Sequence, residues 1–309
     1  MTFFSKLHPE LVAQFANAEP TFLSIDDIVS NRVFTHFTEQ GIDFTDVIVS
    51  ECTIDVDHYP LRVIVCKPLQ QIENAPCIIW YHGGGMVTGT PDDSIGYMLD
   101  FVRLFKAIVV IPAYRLAPEF PYPTGLHDCY NTLLWVDNDA DQLNICRNKI
   151  IVAGASAGGN LCVAVSLLAR DRNGPTIAFQ LPLYPMLDYQ NNRPSNLELT
   201  TPLVWNHTKN RDAWQMYLQL TEAVDSYASP SYAKDYTNLP PTYTFVGTLD
   251  LFRDEVIDFV QRLTIAHVPV EFHLYNGCTH GFDIEDTAIG RHAKEQLLAV
   301  TKQYLERYE

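Results

Sequence analysis

Ser156 stands between glycines at the end of an apolar run, and it is the first residue in the chain whose setting could activate a side chain. In Ile150-Ile-Val-Ala-Gly154-Ala155-Ser156-Ala157-Gly158-Gly159-Asn160 a β-rich run passes through G-x-S-x-G into a helical pattern. Small residues on both sides of Ser156 permit a sharp strand-to-helix turn that lifts the hydroxyl above a sheet. The positive end of the following helix would favour negative charge developing there. Two plainer readings compete: a glycine-rich turn that only packs, or one that binds phosphate. A dinucleotide fingerprint is disfavoured, because G-x-G-x-x-G needs a second glycine where this chain has Ser156.

A second signal follows the apolar run Cys77 to Tyr81, in His82-Gly83-Gly84-Gly85-Met86. Successive glycines leave backbone N–H groups uncovered, which suits two donors aimed at one developing oxyanion. An anion nest without a catalytic role would look the same locally. Placed before G-x-S-x-G, the triplet is better read as an oxyanion site, with His82 shaping the loop.

A hydroxyl nucleophile needs a base, and the base an orienting acid. Among ten histidines, His280 in Asn276-Gly-Cys-Thr-His280-Gly281-Phe282 follows a predicted strand and enters a glycine-flanked loop. Asp250 closes the run Thr242 to Val246 through Gly247-Thr-Leu and stands before a helix. Asp254 and Glu255 are rivals, although an acidic first turn also suits the helix dipole. The chain order Ser156, Asp250, His280, with separations of 94 and 30 residues, is that of an α/β-hydrolase and not of chymotrypsin or subtilisin.

Elements that could hold these groups are legible around them. Strand-like runs at residues 62–66, 77–81, 107–111, 150–153, 177–183, 242–246 and 268–274 are mostly apolar without alternation, as in a largely parallel sheet buried on both faces. Helical patterns at 161–169, 252–263 and 291–304 alternate with them, so the expected class is α/β with a wound sheet. Two amphipathic helices are expected within residues 1–45. One starts at Pro9 with Leu11, Val12 and Phe15 on one face, and the other follows a Ser24/Asp27 capping box before Ile28, Val29 and Val33. Residues 46–309 form the catalytic domain, interrupted at about 187–230 by an insertion with helical spacing only around Trp214 to Leu218, of the kind that often covers a site.

Composition narrows the partners. With 21 Lys+Arg against 37 Asp+Glu the formal net charge is −16, which argues against nucleic acid and anionic membrane surfaces. A 47% hydrophobic content supports a large core. No run reaches the length of a membrane span, and the N-terminus does not resemble a signal peptide, so a cytoplasmic protein is expected. Seven cysteines without a C-x-x-C pair fit reduced, mostly buried thiols. Without H-E-x-x-H or paired cysteine ligands, neither a metal nor a cofactor is expected.

Six ordered motifs resemble those of the bacterial hormone-sensitive-lipase-like carboxylesterases of the α/β-hydrolase fold. They are His82-Gly-Gly-Gly85, Tyr114-Arg-Leu-Ala-Pro-Glu119, Gly154-x-Ser156-Ala-Gly158-Gly159, Tyr227-Ala-Ser-Pro230, Asp250-Leu-Phe-Arg-Asp-Glu255 and His280-Gly-Phe282, spread over roughly residues 60–305. The resemblance implies an α/β-hydrolase with a helical cap made by the N-terminal helices and residues 187–230. It also implies an oxyanion hole from the N–H groups of Gly83, Gly84 and Ala157, hydrolysis of short- to medium-chain acyl esters through an acyl-enzyme, and an assembly that could be a homodimer. A deacetylase or amidase would use the same residues. A catalytically silent ligand receptor on this fold is opposed by the intact set Ser156, Asp250 and His280. Two positions depart from the family pattern: Ala155 replaces the usual Asp or Thr, and Leu251-Phe252 replace Pro-Leu. Arg115 and Glu119 are expected to order loops.

Overall fold

A computed structural model describes residues 3–16, 18, 24–70 and 72–307. After α1 (Pro9–Ala16) and α2 (Ile25–Ser30), a hairpin of β1 (Val47–Val56) and β2 (Tyr59–Pro68) leads into β3 (Ala75–Tyr81). The chain then alternates through α3 (Ile95–Phe105), β4 (Ile108–Pro112), α4 (Thr124–Asn138), the short α5 (Ala140–Leu143), β5 (Ile145–Ala155), α6 (Ala157–Asp171) and β6 (Phe179–Leu183). Next come α7 (Pro194–Glu198) and α8 (His207–Leu218), and then β7 (Thr242–Leu249), α9 (Arg253–Ile265), β8 (Val270–Thr279) and α10 (Ala288–Glu306).

The eight strands form one sheet in the order β1-β2-β4-β3-β5-β6-β7-β8. Pairing is antiparallel at β1/β2 and β2/β4 and parallel from β4 onward. Helices on both faces explain the continuous apolar runs: all seven residues of β3 are buried, as are all five of β4 and of β6. A parallel sheet directs every strand's carboxyl end the same way, so the loops after β3, β5, β7 and β8 gather at one edge.

The expected α/β class and all seven predicted strand segments are present, with ends shifted by a few residues. The edge strand β1 was not among the expected strands. Its exposed positions carry Ser50, Glu51, Thr53 and Asp55, and it turns into β2 through Asp57 and His58, both at positive φ. That hairpin turn lacks the Asn-Gly or Asp-Gly signature by which such turns are read.

At the N-terminus, α1 begins at Pro9 and α2 carries the Ser24/Asp27 capping box, with Asp27 N donating to Ser24 Oγ and Ser24 N donating to Asp27 Oδ2. Two face assignments need correction. Val12 is exposed while Leu11 and Phe15 are buried, and α2 ends at Ser30, leaving Val33 outside it and 81% exposed. In the 187–230 segment, helix covers more than the Trp214 to Leu218 stretch. Pro194 starts α7, and the Asn206 side chain caps α8 by accepting from Lys209 N at 3.0 Å.

Candidate active site

The β5 to α6 connection is built around absent side chains. Ser156 sits at φ 59°, ψ −117°, a costly conformation for a residue with a Cβ. A Cβ on Gly158 would stand 1.9 Å from Tyr81 O, and one on Gly154 would stand 2.3 Å from Gly158 O. Only glycine therefore lets β3, β5 and α6 approach closely enough to hold the turn. Ser156 N donates to Leu183 O at 2.9 Å, and Ser156 O accepts from Asn160 N and Met186 N. Five backbone and packing constraints thus hold the strained serine in place.

The two other expected residues converge on it. Ser156 Oγ lies 2.9 Å from His280 Nε2, and His280 Nδ1 lies 2.8 Å from Asp250 Oδ2. A carboxylate can only accept, so Nδ1 carries the proton and donates to Asp250, leaving Nε2 free to accept from the serine hydroxyl. Asp250 is 1% exposed, and its Oδ1 accepts from Phe252 N at 2.8 Å. That bond uses a backbone amide two residues on, so the Leu251-Phe252 departure leaves the carboxylate anchored. Phe252 also packs its ring edge-on to His280, with centroids 5.0 Å apart. The rivals are engaged elsewhere: Asp254 accepts from Ser195 N and pairs with Arg253, while Glu255 accepts from Leu187 N and Asp188 N. Burial drives the Glu255 carboxyl well above the ordinary carboxylate range, with the nearby Asp188 adding to the effect.

Residues 187–230 reach this acid loop directly. Ser195 Oγ and Asn196 Nδ2 both donate to Leu251 O, at 2.8 and 3.0 Å. Trp205 from the same segment packs on Gly85, where a Cβ would meet the indole at 2.5 Å.

Gly83 and Gly84 line the cavity with Ser156 and His280, and a Cβ on Gly83 would lie 3.6 Å from Ser156 Cβ. Ala157 opens α6, where amides have no intrahelical acceptor. The loop is stiffened by its own bonds, since Val87 N and Thr88 N both donate to Gly84 O at 3.0 Å. Arg32, following α2, clamps it from outside: Nε donates to Val87 O, and the guanidinium also reaches Ala117 O and the Glu119 carboxylate. Glu119 therefore orders a loop through Arg32, and Arg115 does so through the fully buried Asp128.

His82 is buried and stacks on Tyr114 with centroids 4.1 Å apart, and its Nδ1–H donates to Gly83 O at 2.8 Å. Burial lowers its pKa to about 4, so the ring is neutral at pH 7 and holds the loop as a donor. The unfolded chain binds this proton near pH 6.5 and the folded chain only near 4. The stability that depends on a neutral His82 is therefore full above about pH 6.5 and is lost progressively as pH falls toward 4, by roughly 3 kcal/mol. Denaturant unfolding at several pH values in that window should show a steeper acid-side loss for the wild type than for His82→Phe; equal slopes would remove His82 as the cause.

Several cavity residues were not singled out in the sequence. Tyr184 follows β6 at φ 34° and presents its ring edge to His280 at 4.9 Å between centroids. Tyr97 donates its hydroxyl to Asp283 Oδ2 at 2.9 Å, and both tyrosines line the cavity. Burial raises the Asp283 carboxyl pKa against the lowering effect of the tyrosine hydroxyl. Tyr184 was findable as the first residue past a predicted strand's carboxyl end. Tyr97 and Asp283, 186 residues apart, carried no local signal. The cavity as a whole has a volume of about 410 Å³. Among the described residues, no group of three or more His, Cys, Asp or Glu could hold a metal ion, and no helix is long and apolar enough to cross a membrane.

Residues 78–284 match a family described by the α/β-hydrolase fold. Esterase LipI of Mycobacterium tuberculosis is 34% identical over 278 residues, spanning 88% of this chain and 87% of the relative. An arylesterase of Saccharolobus solfataricus is 31% identical over 240 residues, spanning 74% and 75%. Among solved structures, a bacterial heroin esterase superposes with a TM-score of 0.91 at 31% identity, over 98% of this chain and 99% of that one. The motif set, the sheet order and these relatives agree, and the chain belongs to the α/β-hydrolase family, among its hormone-sensitive-lipase-like carboxylesterases.

Proposed function

We propose that the protein is a serine carboxylesterase acting on short- to medium-chain acyl esters through a covalent acyl-enzyme. Ser156 Oγ attacks the ester carbonyl while His280 Nε2 takes its proton, and Asp250 holds the imidazole tautomer and stabilises the imidazolium. The N–H groups of Gly83, Gly84 and Ala157 bind the tetrahedral oxyanion. His280 then protonates the departing alcohol, and a water deprotonated by the same nitrogen releases the acid. The single observation that carries this reading is the hydrogen-bonded line from Asp250 through His280 to Ser156, at 2.8 and 2.9 Å, opening on an aromatic cavity.

In this reading residues 1–45 and 187–230 cap the cavity; the part played by 187–230 is supported by Trp205 over Gly85 and by the Ser195 and Asn196 bonds to the acid loop, and that of 1–45 by the family resemblance. A cytoplasmic location is supported by seven free thiols, five of them buried. A homodimer rests on the family resemblance alone.

The acyl range is tested with p-nitrophenyl acetate, butyrate, octanoate and laurate at neutral pH, beside Ser156→Ala. A cavity of this volume holds a ligand of modest size, so kcat/KM should peak at acetate or butyrate and fall by about tenfold or more by laurate. A profile that rises toward laurate would overturn the short-acyl assignment.

A further inference from the structure

We infer that the esters this site prefers carry a positive charge on their alcohol portion, an ammonium group held at the cavity mouth by the Asp93 carboxylate. The inference rests on the esterase reading and adds a substrate class to it. Asp93 lines the same cavity as Ser156 and His280 and is exposed, so its carboxylate stands at the solvent edge of that cavity. Among the described residues no Lys or Arg lines the cavity, and His82 is neutral at pH 7.

The acids around Asp93 already have partners. Asp92 is held by Arg62 at 2.6 and 3.0 Å, Asp100 by Lys294 at 2.6 Å, and Asp283 accepts from Tyr97. Asp93 has no ion pair among the described residues; its Oδ2 accepts from Thr90 N at 2.9 Å and its backbone N–H donates to Thr90 Oγ1 at 3.3 Å. That reciprocal turn needs only a side-chain oxygen that accepts, which a neutral Asn supplies equally well, so the turn alone does not require the charge.

The rest of the cavity fits a cation rather than an anion. Trp80, Tyr184 and Trp205 are aromatic lining residues of the kind that attract ammonium groups, while the Tyr97 ring already has Lys294 Nζ over it at 4.7 Å from its centroid. The whole chain, at −16, draws cations toward it.

The test compares two aryl acetates of matched shape, m-(trimethylammonio)phenyl acetate and m-tert-butylphenyl acetate, on the wild type, Asp93→Asn and Asp93→Glu. Their phenols differ in intrinsic leaving ability, but that difference cancels when the ratio of kcat/KM values is compared between variants. The ratio of cationic to neutral ester should fall about fivefold in Asp93→Asn and be retained in Asp93→Glu. Raising ionic strength should lower the wild-type ratio and leave that of Asp93→Asn nearly flat. A ratio that is the same in wild type and Asp93→Asn at low salt would overturn the inference while leaving the esterase reading intact. Absence of hydrolysis of both esters, and of p-nitrophenyl acetate, would overturn the esterase reading itself.

Discussion

Ser156→Ala is expected to lower kcat on p-nitrophenyl acetate by on the order of 10⁶-fold, leaving only what bound geometry and the oxyanion donors contribute over water. The size of the effect follows from the mechanism: without Oγ no acyl-enzyme forms, and His280 and Asp250 lose the atom they serve. The folded state should survive. Alanine has the same Cβ and backbone constraints as serine at φ 59°, and the turn is held by Ser156 N, Leu183 O and the two glycines rather than by the hydroxyl. Steady-state assays of the purified variant, alongside circular dichroism and thermal melts, check both halves. A kcat within tenfold of wild type, with the fold intact, would assign the chemistry to another residue. Cys278 stands two residues from His280, but it is buried and its thiol pKa is pushed up to about 12 by burial, the opposite of an activated cysteine.

Asp250→Asn is expected to cost about 10⁴-fold in kcat near neutral pH. The asparagine can keep the bond from Phe252 N on its carbonyl oxygen, so the loop geometry persists. Its amide then faces His280 Nδ1 with a donor where a carboxylate accepted. The imidazole responds by placing its proton on Nε2, the atom that must accept from Ser156. The lost stabilisation of the imidazolium adds to the loss. Asp254→Asn serves as the comparison, because Asp254 bonds Ser195 N and Arg253 and does not touch His280. It should retain kcat within about tenfold, any change arising from a looser 187–230 segment. Equal losses in the two variants would contradict the assignment of Asp250 as the orienting acid.

Much of this arrangement is readable in the chain because each feature has a local physical cause. Buried parallel strands must be apolar on both faces, so β3, β4, β5 and β6 announce themselves. A strained serine must be flanked by glycine, and the three members of the line Ser156, His280 and Asp250 each follow a strand at its carboxyl end. The parts that could not be read are those fixed by distant partners. Arg32 holds the glycine loop from 55 residues away, and Tyr97 meets Asp283 across 186. Ser195 and Asn196 tie α7 to the acid loop from 56 and 55 residues away. The edge strand β1 was hidden because half its residues face water and look polar. Val33 was misplaced because a capping box fixes where a helix starts and says nothing of where it stops.

The central claim is that Ser156 becomes acylated, and rapid mixing with p-nitrophenyl butyrate, acid quenching and mass spectrometry test it most directly. The account predicts a burst of p-nitrophenol or a trapped butyryl group that maps to the peptide containing Ser156, with no such adduct in Ser156→Ala. Turnover accompanied by a butyryl group on any other residue, or turnover persisting in Ser156→Ala, would contradict it.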